Sequence, residues 1–295
     1  MLAVINFKNS IRGGVFSRLW ACIFPKVSAR AVYSETLEAE LVYVEPHVPL
    51  QSPLGARRCL NKTVALLRKF GCDSYLSAPG ASSDFLLQRG IKRADGEDYF
   101  LLRLTDSVRK LAEIREMPPE EISVCVYDTG QTDWQKALFA DLTRMCRKTV
   151  LIAPETESGL ELQERLLDEN GTACVISEDP RAAAGCDIFI SLSRTEQLMC
   201  SGAVDFEAVL LCADRFYMPR CEPPCPVLTD VAVYLPYDLE AILPDGLTSS
   251  AFVGRLYRYY RQKKLLSLDI SSFCSFGRVI PEKNLAYCEK GIDRY

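Results

Sequence analysis

Between Glu120 and Asp214 the chain carries five short apolar segments, and their spacing limits what it can fold into more than any other feature. They are ISVCVYD, TVLIAP, TACVIS, CDIFISLS and EAVLLCAD. Runs that are apolar on both alternating positions suit strands covered on both faces. Between the first three lie segments of helical period. Asp133 to Cys146 turns Trp134, Leu138, Leu142 and Met145 to one side, and Ser158 to Glu169 is closed by Asn170-Gly171. Strand and helix alternating at this interval predict a parallel, doubly wound sheet.

The chain before this region predicts a smaller α/β unit. MLAVINF reads as a strand, and Arg30 to Glu45 as one long strand or a pair, with AELVYVEP ending at Pro46. Gly55 to Phe70 reads as a helix through Leu60, Val64 and Leu67, and DSYLSAPG as the next strand. From Asp95 to Met117, Leu101, Leu104, Val108, Leu111 and Ile114 predict one long helix, closed by Pro118-Pro119. The expected organisation is therefore an α/β unit over 1–94, a connecting helix over 95–119, the regular sheet over 120–215 and an extension over 216–295. In that extension CEPPCPVLTD reads as a connection, VAVYLP as a strand and Ser249 to Lys264 as a helix.

A strand-to-helix turn in such a sheet is where a G-x-G-x-x-G fingerprint would cradle a diphosphate. From Val124 the chain reads V-C-V-Y-D-T-G-Q-T-D-W, with Asp128, Gly130 and Asp133 in the three glycine places and Ala137 at the small helix position. The order of elements, with this turn and the later CDIFIS strand, resembles the NAD(P)-binding Rossmann superfamily with a degenerate glycine fingerprint. The sequence of small α/β unit, long helix and Rossmann-like unit is loosely similar to the shikimate-dehydrogenase type, though its threonine-lysine motif has no counterpart here. The resemblance implies a Rossmann-like fold and NAD or NADP as cofactor. Asp128 and Asp133 oppose that, because carboxylates there would face a diphosphate or take the amides it needs. The expectation is a diverged Rossmann-like protein binding a small ligand or a partner without standard dinucleotide binding, hence no cofactor. The alternative is an NAD(P)-dependent oxidoreductase with an atypical phosphate loop. Whether the chain is an enzyme is left open.

Ligands of such sheets bind at the carboxyl ends of the strands. The candidate binding residues are accordingly Asp128, Thr129, Gly130, Gln131, Thr132 and Asp133 after the first strand. Glu155 follows the second, and Ser191 and Ser193 the fourth.

Other chemistry is narrowed by counts. His47 is the single histidine, which removes histidine-rich zinc sites and paired-histidine mechanisms, and it reads as a loop residue. Thirteen scattered cysteines, several inside apolar runs, read as buried reduced thiols and suggest a cytoplasmic setting. Cys221 and Cys225 flank Glu222-Pro223-Pro224 but lack a second close pair, so no metal site is expected. The segment RLYRYYRQKK concentrates five basic residues and three tyrosines, and reads as a solvated helix face. The net charge of -4 argues against nucleic acid as a partner. Lys62, Asp95 and Asp98 are further acid–base candidates. Leu19-Trp20-Ala21-Cys22 loosely resembles a lipoprotein cleavage box, but Lys8, Asn9, Ser10, Arg12 and Arg18 interrupt the apolar stretch before it. No membrane span is expected.

Overall fold

The computed structural model describes residues 1–9, 23–49, 52–96, 98–127, 132–153, 157–171, 174–214, 216–220 and 222–286. It is a mixed α/β structure whose parallel sheets are flanked by helices. The chain divides into two units, Met1–Tyr99 with Val233–Asp269, and Phe100–Ala232 with Ile270–Tyr295. No helix among the described residues is long and apolar enough to cross a membrane.

In the first unit β1 (Leu2–Ile5) is central and fully buried. Along one edge of β4 (Ala39–Val48) run β1 and then β2 (Lys8–Asn9), and along the other edge the antiparallel β3 (Val27–Ser34). On the far side of β1 lie β5 (Ser74–Leu76) and β6 (Lys92–Arg93), both parallel. The helix α1 (Pro53–Lys69) starts where Ser52 Oγ accepts the Gly55 amide at 3.1 Å and Pro53 occupies the first turn. Its Val64 and Leu67 pack on Ala3, Ile5, Val42, Val44 and Tyr75. A second helix, α2 (Ala81–Gln88), joins β5 to β6.

β4 runs through Pro46, where the sequence suggested an end, so His47 lies in a strand and not in a loop. The reason is local. Val44 O accepts the Asn6 amide, and Pro46, two residues on, faces the same way. That is where the neighbouring edge breaks between Ile5 and Lys8, so the missing proline N–H leaves no ladder bond unmade.

The helix expected from Asp95 to Met117 is two helices, α3 (Tyr99–Leu102) and α4 (Leu104–Ile114), parted at Arg103. Arg103 is buried with its Nε 2.7 Å from Asp106.

The second unit holds six parallel strands in the order β12-β11-β10-β7-β8-β9. They are β7 (Ser123–Tyr127), β8 (Lys148–Ile152), β9 (Val175–Ser177), β10 (Ile188–Ser191), β11 (Val209–Cys212) and β12 (Val227–Leu228). Taken in chain order this is a Rossmann-like doubly wound arrangement, with its switch point between β7 and β10. The helices α5 (Asp133–Met145) and α6 (Glu157–Asn170) follow the first two strands, and the short α7 (Thr195–Cys200) follows β10. The core under one face joins Cys125, Val150, Ile152, Phe189, Leu210, Cys212 and Val227.

Of the ten described cysteines, all free thiols, eight are buried and Cys200 alone is exposed. Burial raises the Cys59 and Cys186 thiols to about 11 and those of Cys146 and Cys225 to about 12. A thiol-specific reagent at pH 7.5 is therefore expected to label Cys200 at least about tenfold faster than these four, because thiolate and access both limit the rate. Peptide mapping after a short pulse measures this, and equal labelling of Cys146 and Cys200 in folded protein would contradict the packing.

Candidate functional site

The first unit brings polar side chains together at the carboxyl edge of its sheet. Its parallel strands lie in the order β4-β1-β5-β6, so the chain winds one way from β1 to β4 and the other way to β5 and β6. The reversal falls between β1 and β5, the place where such sheets open a crevice. The residues that follow these two strands are Asn6 and Ser77, both polar and both buried.

Asn6 closes a tie to a distant segment. Its Oδ1 accepts the Asp245 amide at 3.1 Å, and its Nδ2 donates to Asp245 Oδ1 at 3.4 Å and to the Tyr43 hydroxyl at 3.3 Å. Lys8 adds an ion pair to the same carboxylate. The Lys8 hydrogen bond holds the Asp245 carboxyl below its usual range. Next to Asp245, Gly246 comes close to Ala78 in the loop after β5.

On the other side of the reversal stands Arg255, from the helix α9 (Ser249–Tyr260), which follows the short α8 (Tyr237–Glu240). Its Nη1 donates to the Ser77 carbonyl at 2.7 Å. Burial, and after it the neighbouring Arg93 guanidinium at the end of β6, pull the Arg255 pKa below its ordinary value, while Tyr75 and Asp95 act the other way. The group stays cationic at neutral pH. Two guanidinium groups are thus held within repelling distance at the ends of β5 and β6. Gly96 admits the Arg255 stem, since a Cβ there would lie 2.9 Å from Arg255 Cγ. The α2 helix begins three residues past Ser77, and Gly80 as its N-cap offers no side chain to the first amides. Tyr75 fixes that first turn, its hydroxyl 2.7 Å from the Ser83 carbonyl and 2.8 Å from Ser83 Oγ. Half-buried positive charge together with uncapped amides suits an oxyanion.

The residues singled out from the sequence fall elsewhere. Asp128, Thr129, Gly130, Gln131 and Glu155 lie outside the described residues. Thr132 caps α5, with its amide given to Gln135 Oε1 at 2.5 Å, and Asp133 is the first residue of that helix and exposed. Ser191 is fully buried at the end of β10, its hydroxyl 2.8 Å from Thr195 Oγ1 and 3.3 Å from the Ser193 carbonyl. Asp214 accepts the Thr195 amide at 3.1 Å, so these groups bind one another and shape the loop. Lys62 donates to the Pro25 carbonyl, Cys225 is buried, and Cys221 is outside the described residues. Among the described residues no three metal-ligating side chains gather.

Sequence reasoning missed the meeting of Arg255 with Ser77. Two signals were available. SAPGASS, Ser77 to Ser83, is a small-residue turn entering a helix, whereas the sequence alone reads DSYLSAPG as a strand as far as Gly80. RLYRYYRQKK was read as solvated, yet its first arginine turns inward to Ser77.

No family model matches the chain. No curated protein matches it either. Similar solved structures include ornithine carbamoyltransferase from Pyrococcus furiosus, 12% identical with a TM-score of 0.32, covering 90% of this chain and 83% of that one. Ornithine transcarbamoylase from Giardia lamblia is 10% identical with a TM-score of 0.34, covering 90% and 86%. Aspartate transcarbamoylase from Trypanosoma cruzi, in complex with carbamoyl aspartate and phosphate, is 12% identical with a TM-score of 0.31, covering 90% and 81%. Scores this low carry no argument about activity. The matches nevertheless run to carbamoyltransferases and not specifically to NAD(P)-binding Rossmann proteins, which corrects the resemblance drawn from the sequence, its shikimate-dehydrogenase-like variant included. The diverged dinucleotide-type binding module and its oxidoreductase alternative are withdrawn with it. The physical reason is that strand order is a packing solution shared by unrelated chemistries.

Proposed function

We propose that the chain acts on a small molecule bearing a phosphate or carboxylate, and that Arg255 and Arg93 hold this oxyanion at the β1–β5 switch point. The observation that carries the reading is the arginine pair. Holding two like charges together, one of them half-buried, costs free energy that an anion between them offsets. Guanidinium forks suit both phosphate and carboxylate geometry, and the α2 amides add donors without adding charge. Free, reduced thiols at buried positions fit a reducing compartment, and we place the protein in the cytoplasm.

The probes are inorganic phosphate and acetate, the simplest phosphate and carboxylate, titrated by calorimetry at low ionic strength. Saturable binding is expected. Arg255→Met keeps the buried stem and removes the fork, and is expected to weaken binding roughly 10- to 100-fold, the cost of about 1.5–3 kcal/mol in charge-assisted hydrogen bonds. Gly96→Ala leaves both arginines in place but crowds the Arg255 stem, and a smaller loss, roughly threefold to tenfold, is expected as the guanidinium is displaced. If neither probe binds at tens of millimolar, or if Arg255→Met binds as well as the parent chain, the reading fails.

A further inference from the structure

A sheet edge offers its unpaired amides and carbonyls to any other extended chain, and monomeric proteins blunt such edges by shortness, charge, proline or bulges. Among the described residues the edges are blunted, with one exception. β6 is two residues long and wholly basic, β9 has three residues and β12 two. The small antiparallel sheet after β12 ends in strands of four and three residues. β3 instead runs for eight, Val27 to Ser34, without a proline. Its register with β4 is unbroken, from Val27 opposite Pro46 to Ser34 opposite Ala39. Its one charged side chain, Arg30, turns inward from the edge and stacks over the Tyr43 ring of its own sheet at 5.4 Å. No described strand pairs with the outer side of β3.

The ladder fixes which groups are open. The His47 amide donates to the Lys26 carbonyl at 3.0 Å, so Lys26 and the even-numbered residues of β3 bond inward to β4. Val27, Ala29, Ala31 and Tyr33 therefore turn their amides and carbonyls outward. An antiparallel neighbour must set such outward-turned positions opposite one another. We propose that β3 pairs with β3 of a second copy of this chain, antiparallel about a two-fold axis at Ala31. The strand is its own complement in that register. Ala29 of one copy faces Tyr33 of the other, so each ring lies over a small side chain, and Arg30 faces Val32. An axis at Arg30 sets two cationic side chains directly opposite, which is destabilising. An axis at Ala29 or Val32 shortens the overlap. Tyr33 is exposed on this edge, as is Tyr237, next to the Asp238 that bonds Ser34. Tyrosine is enriched where protein surfaces meet. The contact is isologous and closed, so it leaves no β3 edge free and stops at a dimer.

Sedimentation velocity of the full chain in reducing buffer is expected to show a monomer–dimer equilibrium. Ala31→Pro removes one outward donor from each copy and no bond to β4, since proline is tolerated where a strand N–H faces solvent. The dissociation constant is expected to rise at least about tenfold, because the two-fold doubles the loss. Unchanged exchange protection on β4 shows that the hairpin of this variant is folded. Ala31→Cys gives an independent reading. Opposed Cα atoms in a hydrogen-bonded pair lie about 5.5 Å apart, within disulfide range. Mild oxidation is expected to join two copies through position 31, identified by peptide mapping against the parent chain. A chain that stays monomeric up to about 1 mM overturns the proposal and leaves the edge to a strand of another protein. A dimer that folded Ala31→Pro leaves intact, or that Ala31→Cys fails to cross-link, has its interface elsewhere and overturns it too.

Discussion

Arg115→Ala is expected to destabilise the second unit by roughly 3–5 kcal/mol, the range for removing a buried, fully engaged charge. Arg115 follows directly on α4 and is 7% exposed. Its Nε donates to the Leu285 carbonyl at 3.1 Å, Nη1 to the Asp187 carbonyl at 3.2 Å and Nη2 to the Glu207 carbonyl at 2.7 Å. One guanidinium therefore ties the end of a helix, the entry to β10, the entry to β11 and the chain near Leu285. Alanine leaves the Leu285 and Glu207 carbonyls without the bonds they now accept, while the Asp187 carbonyl keeps the Val209 amide at 3.0 Å. Arg115→Lys keeps the charge but has one nitrogen to place among three separated acceptors, so it should recover less than half of the stability. Native-state hydrogen exchange separates the units: protection should fall on β7, β10 and β11 and hold on β1 and β4. A loss below about 1 kcal/mol would mean that water satisfies those carbonyls when the side chain is gone.

The same residue shows what can be read along a chain and what cannot. The helix before Arg115 was visible because Leu104, Val108 and Leu111 recur on one face, and all three are buried. Its break at Arg103 was not visible, because the apolar spacing continues across it and the cause is a side chain that turns inward to Asp106. The strands β7 to β11 were legible as apolar runs, since helices on both faces leave no polar alternation to confuse. β12 was hidden in CEPPCPVLTD, where the prolines argue against a strand. Two residues, Val227 and Leu228, are enough because Leu210 and Leu211 supply a ready edge. The contact between Arg255 and Ser77 was less legible still. Arg255 and Ser77 are 178 positions apart, and nothing in RLYRYYRQKK distinguishes Arg255 from Arg258. What separates them is which face of α9 meets the sheet, and that is a tertiary fact.

Asp238→Asn is expected to cost the first unit roughly 2–3 kcal/mol at pH 7, and the parent chain should lose much of that difference in acid. Asp238 reaches the β3–β4 hairpin from the segment after β13 (Asp230–Val233), some 200 residues on. Its Oδ2 accepts from Ser34 Oγ at 2.6 Å and from the Thr36 amide at 3.1 Å, and its Oδ1 accepts from Thr36 Oγ1 at 2.9 Å. Ser34 Oγ also accepts the Leu37 amide at 3.1 Å, so the carboxylate organises the whole turn. Burial alone would raise the Asp238 pKa, but the bonds from Ser34 and Thr36 outweigh it and the carboxyl is held below its ordinary value. A depressed folded-state pKa means that the stabilisation is complete above the unfolded value, about 3.9, and is lost as pH falls through the lower folded value. Asparagine keeps one acceptor but presents an amide where the second carboxylate oxygen accepted bonds, and it does not titrate there. The two chains should therefore differ most at pH 6–7 and converge toward pH 2–3. Urea midpoints measured from pH 7 to pH 2.5, read from exchange protection on β3 and β4, test this directly. A stability gap that stays constant over that range would show that the carboxylate's charge is not what holds the hairpin.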